Sequence, residues 1–100
     1  MTLYKLYIGA NNTSKKISIK MEDDITQIIS TKFESFSFYK IKGYFQGQKE
    51  ESLIVEIATD NLKKLKGVAM EIRQKYQQDG IGILSCQTGK YTRITKNKRY

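Results

Sequence analysis

Cations and an aromatic ring interleave near the end of the chain. Lys90, Tyr91, Arg93, Lys96, Lys98 and Arg99 fall within the last eleven residues, with no acidic residue among them. That mixture suits phosphate contact combined with stacking on bases. A second set of donors follows the first predicted strand, where Asn11, Asn12, Lys15 and Lys16 supply amide and ammonium groups able to hold an anion. Aromatic side chains on a sheet can also stack on bases. Tyr39 and Tyr44 are the candidates for that role, from a wider set that includes Tyr4, Tyr7 and Phe45. Lys42-Gly43-Tyr44-Phe45 echoes part of the Lys/Arg-Gly-aromatic-Gly-aromatic signature of RNA-recognition modules, without its second glycine.

Other chemistries are excluded by composition. The chain has no histidine, which removes the usual general base near neutral pH and the commonest metal ligand. Ser-His-Asp and Cys-His arrangements go with it. One cysteine, Cys86, leaves no zinc site of the usual kinds, and this residue is expected as a small buried hydrophobe in the last strand. No phosphate-cradling Gly-x-x-x-x-Gly-Lys-Ser/Thr sequence is present, and Gly80-Ile81-Gly82 is too short for a dinucleotide loop. No cofactor or metal is therefore expected. Glu22-Asp23-Asp24 reads as favourable charge at a helix N-terminus.

One hundred residues, 39% hydrophobic and 28% charged, suit a single globular domain. No apolar run approaches the ~20 residues needed to cross a bilayer. The opening MTLYKLYIGANN is too short and polar for a signal peptide, and a lone cysteine makes no internal disulfide. A cytoplasmic protein without membrane contact is expected. The formal charge is +8, and the five tail cations leave +3 on the first 89 residues (8 − 5). The chain thus divides into a mildly basic domain over residues 1–89 and a basic tail over 90–100.

A small sheet must position these groups. Leu-Tyr-Lys-Leu-Tyr-Ile at residues 3–8 is a first strand, ended by Gly9. Ile17–Lys20 alternates over four residues, as a short edge strand or an extended lead-in. Ile25, Ile28, Ile29 and Phe33 then recur at helical spacing behind the three carboxylates. Phe36 to Ala58 reads as a hairpin about the polar turn Gln46–Glu50. Its apolar parity switches near Tyr39, which predicts a bulge there or a strand running past the edge of the sheet. Leu62, Leu65, Val68, Ala69, Ile72 and Tyr76 form the clearest helical stripe, behind the cap residues Thr59-Asp60-Asn61. Gly67 inside that stripe suggests a close approach to the sheet. Residues 81–86 make the last strand, and the tail either adds a strand or remains mobile. The order predicts a ferredoxin-like βαββαβ fold of the α+β class: a four-stranded antiparallel sheet with two helices on one face.

The phrases YKLYIGANN, KGYFQGQKEESLIVEIA and QDGIGI resemble those of small uncharacterised bacterial and phage proteins in a domain family of unknown function. Such proteins begin with a KLYIG-like strand and carry a GYxxGxxExS-like hairpin, which falls here on Gly43-Tyr44, Gly47, Glu50 and Ser52. The resemblance spans residues 4 to 84 or so. It implies the same fold and a bacterial or mobile-element origin, and it transfers no activity.

The first functional expectation is a non-enzymatic binding protein that engages nucleic acid or a nucleoprotein complex through its tail. The resemblance extends this to a phage or mobile-element inhibitor of host defence. The alternative is a small-ligand binder or sponge for a phosphorylated nucleotide, held by the Asn11–Lys16 loop and the sheet face. A histidine-free ribonuclease ranks third, so catalysis is left open with a non-enzyme favoured. Tyrosine-rich sheet edges add the expectation of a homodimer.

Overall fold

Alternation along each strand assigns one set of residues to a buried face. In the computed structural model, which describes residues 1–10 and 14–96 and only the backbone of Phe45, that face is shared by five strands. The elements run β1 (Thr2–Gly9), α1 (Ile19–Ser30), β2 (Ser37–Phe45), β3 (Gln48–Thr59), α2 (Leu62–Lys75), β4 (Gly80–Ser85) and β5 (Tyr91–Thr95). The strands pair antiparallel in the order β2-β3-β1-β4-β5. Leu6 and Ile8, Leu53, Val55 and Ile57, Ile81 and Ile83, and Ile94 point to one side of this sheet. There they meet Met21, Ile25 and Ile29 of α1 and Leu65, Val68, Ala69 and Ile72 of α2. Both helices therefore cover the same face, and their packing removes that face from water.

The expected four-stranded sheet is corrected to five strands. The tail segment Tyr91–Thr95 pairs with β4 from Leu84↔Tyr91 to Gly80↔Thr95. Ile94 is fully buried in the core. Burial of this one branched side chain and a backbone ladder draw the segment in, despite the cations on either side.

Several local expectations also change. Ser18, in extended backbone, caps α1, its Oγ accepting from the Met21 N–H at 3.0 Å, so of the two readings of Ile17–Lys20 the lead-in to the helix holds and the edge strand does not. Of the three carboxylates only Glu22 lies in the first turn. The hairpin turn is Gln46-Gly47 alone, with φ values of 51° and 78°, since Phe45 pairs with Gln48. Two positive φ angles match the twist of the flanking strands. No bulge interrupts β2: its register with β3 runs unbroken from Ser37↔Glu56 to Phe45↔Gln48. Its parity changes because β2 is an edge strand whose two faces are both half covered, leaving Phe38, Tyr39 and Ile41 exposed. Gly67 is exposed, and a β-carbon added to it would meet nothing within 4 Å, so it marks no close approach. Cys86 lies just beyond β4 and is exposed rather than buried. Among the described residues no helix is long and apolar enough to cross a membrane.

Candidate functional site

Among the described residues, the other face of the sheet has no helix on it. Cross-strand pairing arranges its residues in rows. One row runs Ser37, Glu56, Lys5, Leu84 and Tyr91, and the next Tyr39, Ile54, Tyr7, Gly82 and Arg93. Ile54 forms an apolar floor, only 2% exposed although it is outside the helix-side core.

Charge and aromatic groups converge on that floor. Tyr39 donates its hydroxyl to Glu56 Oε2 at 3.2 Å, and Lys5 Nζ lies 3.6 Å from the same oxygen. The Tyr39 oxygen, followed by a weaker contribution from Glu56, holds the Lys5 ammonium above its ordinary value against partial desolvation. Tyr7 and Tyr91 form a tilted ring pair with centroids 6.4 Å apart. The sequence allows this through two glycines. A β-carbon on Gly82 would stand 2.6 Å from Tyr91 Cζ, and one on Gly80 would stand 2.9 Å from Arg93 Cζ. Tyr91 and Arg93 thus lie over bare backbone. The result is a shelf with aromatic faces for a flat heterocycle, a carboxylate to accept from hydroxyls, and two cations.

The residues picked out from the sequence are dispersed. Tyr91, Arg93 and Tyr39 share the open face. Tyr44 is on the opposite side of β2 near its turn, 74% exposed, away from the other rings. Lys90 edges a cleft of about 160 Å³ on the helix side, with Lys66 and the hydroxyls of Ser85, Thr88 and Thr92. Lys15 sits at the other end of the sheet, 3.5 Å from Glu50 Oε1. Lys16 borders a cavity of about 420 Å³ beside α1, with Asp24 and Tyr76. Lys96 lines a hollow of about 610 Å³ near Gln78. Asn11, Asn12, Lys98 and Arg99 lie outside the described residues.

Lys5, Glu56 and Gln78 were not among the sequence candidates. For Lys5 and Glu56 the signal was parity: Lys5 stands between Tyr4 and Leu6, and Glu56 between Val55 and Ile57, each facing away from the apolar set; Gln78 lies in no strand and had no such signal. Only strand register brings Lys5 and Glu56 together. No group of three or more His, Cys, Asp or Glu suited to a metal occurs among the described residues.

No family model and no curated protein matches the chain. Solved structures share its fold. A phage SAM lyase in complex with S-methyl-5′-thioadenosine matches with a TM-score of 0.70 at 18% identity, over 99% of this chain and 92% of that one. The phage SAM lyase in its apo state matches with a TM-score of 0.60 at 17% identity over the same shares. At such identities the likeness is one of fold. The neighbours are small phage proteins, in keeping with a phage or bacterial resemblance, but they are not a domain family of unknown function. They also overturn the nucleic-acid reading, including its extension to an inhibitor of host defence. Both of these structures, which match over 99% of this chain, are of a lyase named for a small molecule, and part of the supposed basic arm is a strand of the sheet.

Proposed function

We propose that this chain binds S-adenosylmethionine on the open face of its sheet and cleaves a carbon–sulfur bond to release S-methyl-5′-thioadenosine. The observation that carries the reading is the whole-length likeness to a SAM lyase whose structure holds that nucleoside. It develops the small-ligand alternative, with a nucleoside sulfonium in place of a phosphorylated nucleotide.

The residues present support it. Tyr7 and Tyr91 offer rings to the adenine. Glu56, held by Lys5 and Tyr39, offers an acceptor to the ribose hydroxyls. The reaction asks for no histidine. A sulfonium leaves as a neutral thioether and needs no proton. Both electrons of the broken bond go to sulfur, and the substrate's own carboxylate oxygen closes on the carbon left behind, giving a lactone. Two opposite charges vanish in that step. A surface that strips water from them, such as Ile54 and the surrounding rings, favours the neutral products over the separated charges.

The test is incubation of the purified protein with excess S-adenosylmethionine, with chromatography for the thioether. Many equivalents of S-methyl-5′-thioadenosine per protein are expected, and the nucleoside alone should raise the melting temperature. No product and no thermal shift would overturn the reading.

A further inference from the structure

Gln78 is a buried polar side chain, 7% exposed, in the turn between α2 and β4. Both of its backbone groups and its side-chain nitrogen are hydrogen-bonded. Its backbone N–H donates to the Arg73 carbonyl at 3.0 Å, and its own carbonyl accepts from Arg73 Nη1 at 3.1 Å. Its side-chain Nε2 donates to the Gly9 carbonyl. Because that partner can only accept, the amide nitrogen must face it, and the amide oxygen is assigned by exclusion. Oε1 is then left buried without a hydrogen-bond partner among the described residues. An orphaned buried acceptor carries an uncompensated desolvation cost and calls for a donor.

Gln78 lines a recess of about 140 Å³ together with Gly9, Lys15, Glu50, Asp79 and Arg93. The lining carries two cations and two carboxylates, which matches a zwitterion better than a simple anion or cation. A cavity of about 150 Å³ holds a benzene-sized guest, and an amino-acid end counted from its β-carbon is of that size. The recess also adjoins the shelf. Gly9 follows Tyr7 by two residues on the same face of β1, a step of about 7 Å. Arg93 reaches toward it over Gly80, alongside Tyr91 over Gly82.

We infer that this recess receives the amino-acid end of the ligand, the ammonium on Gln78 Oε1 with the Asp79 and Glu50 carboxylates, and the carboxylate on Arg93 and Lys15. The inference rests on the nucleoside reading above, and it adds which end of the molecule goes where. That end supplies a donor to the acceptor left unpartnered among the described residues.

Two unreactive thioethers isolate the point: S-adenosylhomocysteine carries the amino-acid end, and S-methyl-5′-thioadenosine lacks it. Calorimetric titration of the intact chain should find the former bound about tenfold tighter. Gln78→Met should bring that ratio close to one while leaving affinity for S-methyl-5′-thioadenosine unchanged, and Arg93→Gln should lower the ratio. If Gln78→Met does not fold, Asp79→Asn at an exposed position should lower the ratio in the same direction. A ratio near one in the unaltered protein, or one that none of these substitutions moves, overturns the assignment and leaves the nucleoside reading standing. Failure to bind either thioether removes both.

Discussion

Tyr91 occupies the space above Gly82: a β-carbon at that glycine would stand 2.6 Å from the tyrosine Cζ. The tail strand thereby delivers an aromatic ring to the centre of the open face, beside Tyr7. Gly82→Ala tests this directly. Alanine in a strand is ordinarily worth about 0.5–1 kcal/mol over glycine, but here it must displace the ring. The expected outcome is a loss of about 1 kcal/mol instead, read by chemical denaturation, with weaker binding of S-methyl-5′-thioadenosine. A stabilised variant with unchanged binding would contradict the placement of Tyr91.

Glu56 is partly exposed, and its pairing with Lys5 adds little to stability. Glu56→Gln should therefore fold with a stability change below about 1 kcal/mol. If it accepts from ribose hydroxyls, KM for S-adenosylmethionine rises about tenfold while kcat stays nearly constant. A fall in kcat at unchanged KM would place this carboxylate in the bond-breaking step instead. Steady-state kinetics separates the two.

Ile94 makes the tail part of the core. Ile94→Ala removes a fully buried side chain, and a loss of about 2–5 kcal/mol is expected. It should appear as a lower denaturation midpoint at unchanged slope. A loss below about 0.5 kcal/mol would mean that β5 is not an integral strand.

The two helices are joined by Tyr76, whose hydroxyl donates to Asp24 Oδ2 at 2.8 Å. That bond, with help from Lys20, holds the Asp24 carboxyl below its ordinary 3.8. Partial burial, then Asp24 itself, pushes the Tyr76 phenol up to about 12. The signs follow from proton linkage. The Asp24 contribution is present above pH 3.8 and is lost as pH falls through the lower folded value. The Tyr76 contribution is present below pH 10.0 and is lost as pH rises through about 12. Tyr76→Phe should cost about 1 kcal/mol near neutrality. The gap in melting temperature between the two proteins should close at both pH extremes. A gap that does not vary with pH would show that the bond contributes nothing.

Much of the framework was legible in residue order. Alternation in residues 3–8 and 53–57 and the stripe from Leu62 to Ile72 depend on spacings of two and of three or four, which any stable packing must respect. The absence of histidine narrowed the chemistry before any fold was known. What the order of residues could not convey was register. Lys5 and Glu56 are 51 positions apart and meet because β1 pairs with β3 at Lys5↔Glu56; a slip of one residue would have sent them to opposite faces. The tail was equally undetermined. Sequence left it either an added strand or a mobile arm, and the burial of Ile94 makes Tyr91–Thr95 a strand, because one apolar side chain and a backbone ladder outweigh solvated cations that remain at the surface. Gln78 belongs to no spacing pattern in the sequence, and only the approach of the Gly9 carbonyl leaves its oxygen buried and without a partner among the described residues. Local spacing thus decided which elements form, and long-range pairing decided which side chains share a site.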